Sequence, residues 1–168
     1  MKAVAVIGNP KPQSRTRAAA EALLTALGYE PDVVEVAEIG PGVLGWGDPA
    51  VAAAKEKIAE ATLVVVASPT FKATYTGLLK CFLDQFDGGT GLAGKVVVPL
   101  MLGAGPAHAM APELTLKPVL AELGASCPTA ALYLLDKAYE TDGALEAFVE
   151  RWSTTVHALA PLDQEVPA

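Results

Sequence analysis

Cysteine is scarce in this chain: Cys81 and Cys127 are the only two among 168 residues. Such a pair provides no disulfide framework, so a reducing compartment, the cytoplasm, is the expected location. The sequence also has no cluster of histidine, cysteine and carboxylate residues at metal-ligand spacing. The composition therefore predicts neither a disulfide-stabilised secreted domain nor a metal site.

Positive charge and long apolar runs are also in short supply. Lys and Arg number 12 against 19 Asp and Glu, a net charge of −7, whereas nucleic-acid binding needs clustered Lys and Arg. No apolar run approaches the roughly 20 residues that span a bilayer. Gly8-Asn9-Pro10 ends the apolar start of the chain too early for a signal peptide. We expect neither a nucleic-acid partner nor a membrane.

Apolar residues, by contrast, are abundant: 52% of the chain is hydrophobic and only 18% is charged. A chain with this composition buries enough apolar surface to fold, which excludes intrinsic disorder. Its length predicts one domain, residues 1–168, with a sizeable core.

Short apolar runs alternate with segments of helical periodicity along the chain. The predicted strands are Val4–Ile7, Val33–Val36, Leu63–Ala67, Lys95–Leu102 and Ala130–Leu135. The predicted helices are Arg15–Leu27, Pro49–Glu60, Gly77–Phe86, Glu113–Leu123 and Ala144–Leu159. This alternation requires βαβ crossovers and a parallel sheet buried on both faces. We expect an α/β fold, a flavodoxin-like doubly wound sheet of five strands in the order 2-1-3-4-5.

The loop after the first strand, GNPKPQSRTR, has the chemistry of a phosphate site. It matches neither G-x-G-x-x-G nor G-x-x-x-x-G-K-[ST]. It nevertheless offers hydroxyls, basic side chains and the free N–H groups at the start of the next helix. A capped helix start with solvated basic residues accounts for this loop alone equally well.

Two further loops of unusual composition follow the third and fourth strands. SPTFKATYT is longer than a strand-to-helix connection requires; Pro69 stiffens it, and Phe71 either meets a flat ligand or anchors the loop to the core. MLGAGPAH contains small residues, which let the backbone approach a ligand closely. Because ligands of doubly wound sheets bind beyond the carboxyl ends of the strands, the three loops predict a ligand site there.

These segments resemble the NADPH-dependent FMN reductase family, and most closely its alkanesulfonate-utilisation FMN reductase branch, from Val4 to about Leu135. GNPKPQSRT is similar to the family's phosphate loop, G-S-x-R-x-x-S. SPTFKATYTGLLK is similar to S/T-P-x-Y-x-x-x-x-S-G-x-L-K, the most specific of the motifs, and GKVVVPLMLGAGPAH to G-K-x-V-x-P-L-x-x-G-G. The departures are Asn9 for serine, Phe71 for tyrosine and Ala104 for glycine.

The resemblance implies an enzyme that binds FMN and passes a hydride to it from NADPH or NADH, with a partner monooxygenase receiving the reduced flavin. The residues implied to hold the FMN phosphate are Asn9, Lys11, Ser14, Arg15 and Thr16. Those implied to hold the ring are Pro69, Thr70, Phe71 and Lys72, and its pyrimidine edge would meet Gly103, Ala104 and Gly105. No catalytic side chain is assigned, because hydride transfer between stacked rings needs positioning rather than an acid–base pair.

Two other functions stay open at this point. One is a quinone or azo reductase that retains its FMN, and the other is a flavodoxin-like electron carrier without nicotinamide chemistry. Carriers of that kind usually have a shorter, hydroxyl-rich phosphate loop with few basic residues, unlike GNPKPQSRTR.

The helices Gly77–Phe86 and Glu113–Leu123 carry two further expectations. The first is more apolar than one buried stripe requires, which, with the family resemblance, predicts a homodimer or homotetramer joined through both helices. In the second, Pro118 has no N–H to donate to the Leu114 carbonyl, so we expect a kink or wide turn there. The alternative is a regular helix that starts near Lys117. By the same resemblance, position 114 is where some alkanesulfonate-type reductases carry an aromatic residue.

Overall fold

Five parallel strands form one sheet in the order β2-β1-β3-β4-β5 in the computed structural model, which describes residues 2–162. The strands are β1 Lys2–Ile7, β2 Pro31–Glu35, β3 Ala61–Pro69, β4 Val96–Gly103 and β5 Leu132–Leu135. Every neighbouring pair is parallel. The predicted flavodoxin-like strand order is therefore confirmed.

Helices connect the strands and cover both faces of the sheet. They are α1 Arg15–Ala26, α2 Val36–Ile39, α3 Pro49–Glu60, α4 Gly77–Leu83, α5 Lys117–Glu122 and α6 Ala144–Leu159. As its sequence predicts, α3 starts after Asp48, whose carboxylate accepts the N–H groups of Ala50 and Val51. The short α2 precedes the Gly/Pro-rich segment GPGVLGWGDP, residues 40–49, which forms only the 3₁₀ turn Gly40–Leu44 before α3 begins.

The core lies on both sides of the sheet, because alternate residues of each inner strand point to opposite faces. Ala3, Ala5 and Ile7 of β1 belong to the apolar cluster under α1 and α6. Val4 and Val6 belong to the cluster under α3, α4 and α5. This double burial explains why the inner strands read as continuous apolar runs rather than as alternating patterns.

The connection after β3 differs from its prediction at both ends. The strand continues through Pro69, so Ser68 is a fully buried strand residue and not the first residue of the loop. At the other end, α4 stops at Leu83, although Phe86 beyond it is still buried. The connecting loop is therefore residues 70–76, which is shorter than the sequence suggested.

The helix before β5 begins irregularly. Residues Pro112–Leu116 form a π-helical segment, in which the Lys117 N–H bonds to the Pro112 carbonyl, and the regular helix starts only at Lys117. The expected wide turn is confirmed, and its cause is Pro118, which has no N–H for the Leu114 carbonyl. Glu113 fastens the segment to the approach of β5, since its carboxylate accepts the Ala131 N–H and the Lys117 ammonium, each at 2.7 Å.

Candidate functional site

A cleft of about 430 Å³ opens at the carboxyl edge of the sheet, between the loops that follow β1, β3 and β4. It is lined by Asn9, Lys11, Gln13, Ser14, Arg15, Thr16, Pro69, Thr70, Phe71, Leu102, Gly103, Ala104 and Asp136. Of the residues predicted for the ligand site, all but Lys72 and Gly105 line this cleft. Sequence patterns from three separate segments thus meet at one place.

The two remaining residues lie beside the cleft. Gly105 borders an adjoining depression, which shares Thr70, Gly103 and Ala104 with the cleft and extends to His108. Lys72 is exposed and lines neither concavity. The predicted ring-binding set is therefore divided between the cleft and its rim.

The loop after β1 places hydrogen-bond donors at the start of α1. Ser14 is the N-cap residue, and its hydroxyl accepts the Arg17 N–H at 3.4 Å. The backbone N–H groups of Arg15 and Thr16, in the first turn, have no intrahelical acceptors. Asn9 steadies the loop by donating from Nδ2 to the Thr16 hydroxyl at 3.0 Å and accepting the Lys11 N–H at 2.9 Å. This is a donor arrangement suited to an anion.

The basic residues of this loop are not equivalent. Arg17 is paired with Glu21 at 3.0 Å and with Glu35 at 3.2 Å, and hydrogen bonds to these two carboxylates raise its pKa. It does not line the cleft. Lys11 and Arg15 do line it, and both are exposed. Of the three basic side chains in GNPKPQSRTR, only these two line the cleft.

Glu35 holds the loop from below. It is the last residue of β2, its side chain is only 2% exposed, and its Oε1 accepts the Gln13 N–H at 2.8 Å. Gln13 has a φ of 50°, a left-handed conformation uncommon outside glycine. The hydrogen bond to a buried carboxylate fixes this turn immediately before Ser14 and Arg15.

The loop after β3 presents an aromatic side chain at the rim. The Phe71 N–H donates to the Thr74 carbonyl at 2.8 Å, and the Thr74 N–H donates back at 3.2 Å. Between them Lys72 and Ala73 both have positive φ, as in a type I′ turn. The Phe71 residue is 52% exposed. Of the two interpretations open from the sequence, anchoring to the core is therefore wrong.

A buried network joins this loop to the one after β1. The Thr76 hydroxyl donates to the Gly8 carbonyl at 2.5 Å and accepts the Leu79 N–H at 3.1 Å, while the Thr76 N–H donates to the Ser68 hydroxyl at 3.0 Å. Gly8 is required here, because a Cβ would lie 2.5 Å from that of Leu79. The hydroxyls of Ser68 and Thr76 thus hold the walls of the cleft rather than a ligand.

Gly103, the last residue of β4, and Gly105, just beyond it, differ in the space around them. A Cβ on Gly103 would lie 1.8 Å from the hydroxyl of Tyr133, which donates to the Gly105 carbonyl at 2.7 Å. A Cβ on Gly105 would meet nothing within 4 Å. Gly103 must therefore be glycine, because Tyr133 leaves no room for a side chain. At Gly105 a side chain would fit.

Three lining residues escaped the sequence reasoning: Gln13, Leu102 and Asp136. Asp136 directly follows β5 and so lies beyond the carboxyl end of a strand, where ligands of doubly wound sheets bind. Its Oδ1 and the hydroxyl of Thr70 are buried without hydrogen-bond partners among the described residues. The unpartnered Thr70 hydroxyl, in a cleft with hydrogen-bond donors for an anion and an exposed aromatic side chain, fits a ligand that carries a phosphate, polar groups and a flat ring.

The two cysteines and His157 do not line the cleft. Both cysteines are free and lie outside the cleft, and burial raises the pKa of the Cys127 thiol. The His157 ring lies 2.8 Å from the Leu27 carbonyl oxygen. Among residues 2–162, no group of three or more His, Cys, Asp or Glu is placed to hold a metal. No helix in that part of the chain is long and apolar enough to cross a membrane.

The fold and the cleft together define the class of protein. It is a flavodoxin-like α/β protein in which hydrogen-bond donors for an anion, at a helix N-terminus, lie beside an exposed aromatic side chain. The profile of the NADPH-dependent FMN reductase family matches residues 1–140. The chain therefore belongs to this family, and the resemblance noted in the sequence is confirmed.

Individual relatives agree with this assignment. FMN reductase (NADPH) of Escherichia coli K12 is 41% identical over 80 residues, which are 48% of this chain and 41% of that protein. NADH-dependent FMN reductase SfnF of Pseudomonas putida is 28% identical over 94% of this chain and 92% of its own length. The apo structure of the NADH:FMN oxidoreductase EMOB superposes with a TM-score of 0.80 at 28% identity, covering 91% of this chain and 88% of that one.

The network around Thr76 generates a prediction for stability. Thr76→Val keeps the shape of the side chain but leaves the Gly8 carbonyl and the Leu79 N–H, both buried, without a partner. We expect the free energy of unfolding to fall by about 2–4 kcal/mol, measured by urea denaturation. Thr74→Val, in the same loop but outside the network, is the control and should change it little. A loss below about 1 kcal/mol for Thr76→Val would contradict this role.

Proposed function

We propose that the protein is an NAD(P)H-dependent FMN reductase formed by a single flavodoxin-like domain. The main support for the proposal is the cleft, in which hydrogen-bond donors for an anion, at the start of α1, lie beside the exposed Phe71. Family membership and the FMN reductase names of its relatives support the same activity. Those names include both NADPH and NADH, and either nicotinamide cofactor fits the proposal.

The phosphate of FMN is assigned to the loop after β1. The N–H groups of Arg15 and Thr16 and the Ser14 hydroxyl donate hydrogen bonds, and the Lys11 and Arg15 side chains supply positive charge. Asn9 orients the loop through its bonds to Lys11 and Thr16. Every one of these residues lines the cleft.

The ring system is assigned to the opposite part of the cleft. Pro69, Thr70 and Phe71 line this part of the cleft, and Lys72 follows them in the loop. Gly103 and Ala104 line it as well, and Gly105 borders the adjoining depression. The unpartnered Thr70 hydroxyl supplies a polar contact there, and the tight turn keeps Phe71 turned outward. When bound, FMN would accept a hydride from the nicotinamide cofactor. The protein's part is to bind and orient, which agrees with the lack of an assigned acid or base.

We also propose a cellular location, a partner protein and an oligomeric state. We place the protein in the cytoplasm, in keeping with two free cysteines in its described part. We infer that reduced FMN is passed to a partner flavin-dependent monooxygenase, on the strength of the resemblance to the alkanesulfonate-utilisation branch. We also infer a homodimer or homotetramer.

Oxidation of NADPH or NADH in air, followed by the loss of the absorbance of the reduced nicotinamide, tests the activity. Protein stripped of flavin should oxidise the nicotinamide rapidly over many turnovers only when free FMN is added. Activity with a quinone and no added FMN would instead indicate a flavin-retaining quinone or azo reductase. Protein that binds FMN yet oxidises neither nicotinamide would indicate an electron carrier.

The phosphate assignment predicts the effect of a double substitution. Ser14→Ala with Arg15→Ala should weaken FMN binding by roughly tenfold or more, because charge-assisted hydrogen bonds contribute about 1.5–3 kcal/mol. Titration calorimetry measures it. Arg151→Ala with Ser153→Ala, the same pair of changes on α6, is the matched control. Unchanged FMN affinity in the Ser14/Arg15 variant would remove the assignment.

We centre the predicted subunit contact on the π-helical segment and the residues just before it, rather than on α4. On α4, Leu79, Phe82 and Leu83 are buried within the chain, whereas Met110 and Leu114 are 58% and 67% exposed. Leu114→Lys should therefore lower the mass measured by light scattering at micromolar concentration. Leu159→Lys on α6, at a residue 52% exposed, should not. A monomeric unmodified protein would contradict the prediction outright.

A further inference from the structure

Arg15, one of the two basic side chains in the cleft, is held at the end of β5. Its Nη1 donates to the Asp136 carbonyl oxygen at 3.1 Å and lies 3.3 Å from the carboxylate Oδ2. Asp136 is itself fixed, because its N–H bonds to the Gly103 carbonyl at 2.9 Å. The guanidinium that the phosphate assignment requires therefore already has an anionic partner.

Asp136 depends on that partner more than Arg15 does. The Arg15 side chain is 59% exposed, but that of Asp136 is only 27% exposed, and its Oδ1 is buried without a hydrogen-bond partner. Across residues 2–162, no other basic group forms an ion pair with this carboxylate. When Arg15 moves away, the partly buried carboxylate loses its charge compensation and the Asp136 carbonyl loses a hydrogen bond. Any ligand that draws Arg15 away leaves Asp136 in this unfavourable state.

The other basic residues give Arg15 its importance. Arg17 is paired with Glu21 and Glu35 and does not line the cleft. Lys11 lines the cleft but carries an ammonium group, which cannot bind a phosphate through two parallel N–H donors as a guanidinium can. A phosphate at the start of α1 therefore relies on Arg15 for the one guanidinium in the cleft lining.

We propose that Asp136 competes with the FMN phosphate for Arg15, weakens FMN binding and thereby keeps the flavin exchangeable. The proposal rests on the proposed function and adds to it a residue that sets flavin release. Riboflavin has the same ring and ribityl chain but no phosphate, so it does not draw Arg15 from Asp136. The competition therefore concerns the ratio of FMN to riboflavin affinity and not the affinity for the ring.

The test is the dissociation constants of FMN and of riboflavin, measured by quenching of flavin fluorescence at fixed ionic strength, with circular dichroism to verify folding. Asp136→Asn should tighten FMN by about 1.5-fold to fivefold, the range for a partly exposed ion pair, and leave riboflavin unchanged. Asp136→Ala should do the same. Glu140→Gln, which removes a carboxylate near Arg15 that is not bonded to it, should change neither. Unchanged or weaker FMN binding in both Asp136 variants would overturn the proposal.

A double-mutant cycle tests whether the effect acts through Arg15. In an Arg15→Gln background, the gain from Asp136→Asn should disappear. An equal gain in both backgrounds would show simple repulsion between the carboxylate and the phosphate, and competition for Arg15 would be wrong.

Flavin binding by the unmodified protein separates the proposed function from the role of Asp136. If the unmodified protein binds neither FMN nor riboflavin, the proposed function fails and this proposal fails with it. If it binds FMN more tightly than riboflavin and Asp136→Asn leaves the ratio unchanged, the proposed function stands and the role of Asp136 is wrong.

Discussion

The hydroxyl of Thr76 makes the interaction on which the cleft depends. It joins the Gly8 carbonyl, at the end of β1, to the first turn of α4, and its N–H reaches Ser68 in β3. The loops after β1 and β3 belong to segments nearly 70 residues apart, and this contact is buried. Buried hydrogen bonds of this kind are costly to leave unmade, so the two walls are held at one spacing. A cleft with flexible walls would have to order itself around each ligand.

The distribution of charge at the cleft is the second organising feature. The chain is acidic overall, and the two arginines of α1 are paired with carboxylates at the ends of other strands. Glu35, at the end of β2, neutralises Arg17 and orders the turn at Gln13. Asp136, after β5, pairs with Arg15. Such pairing keeps the free site from being strongly basic and makes the anion affinity depend on which pairs a ligand breaks.

Much of the fold was predictable because a doubly wound sheet imposes strong local patterns. Strands buried on both faces must be continuously apolar, and helices between them must show one apolar stripe. The boundaries were less predictable. β3 extends to Pro69 because it pairs with β4 as far as Leu102, a contact invisible in the sequence of β3 alone. The irregular turn at Pro112–Leu116 was foreseeable from Pro118, since a missing N–H is a local property.

The sequence alone determined the order of elements, the three loops at one edge and the residue types that a phosphate and a flat ring require, because these follow from periodicity and side-chain chemistry. Tertiary structure alone decided which of these residues face the cleft. Arg17 forms an ion pair with Glu35 and does not line the cleft. The hydroxyls of Ser68 and Thr76 hold the walls of the cleft together, and Gly103 leaves room for Tyr133. Asp136 enters the site because β5 ends beside β4. Each of these outcomes depends on contacts between residues far apart in the chain, and no local pattern encodes such contacts.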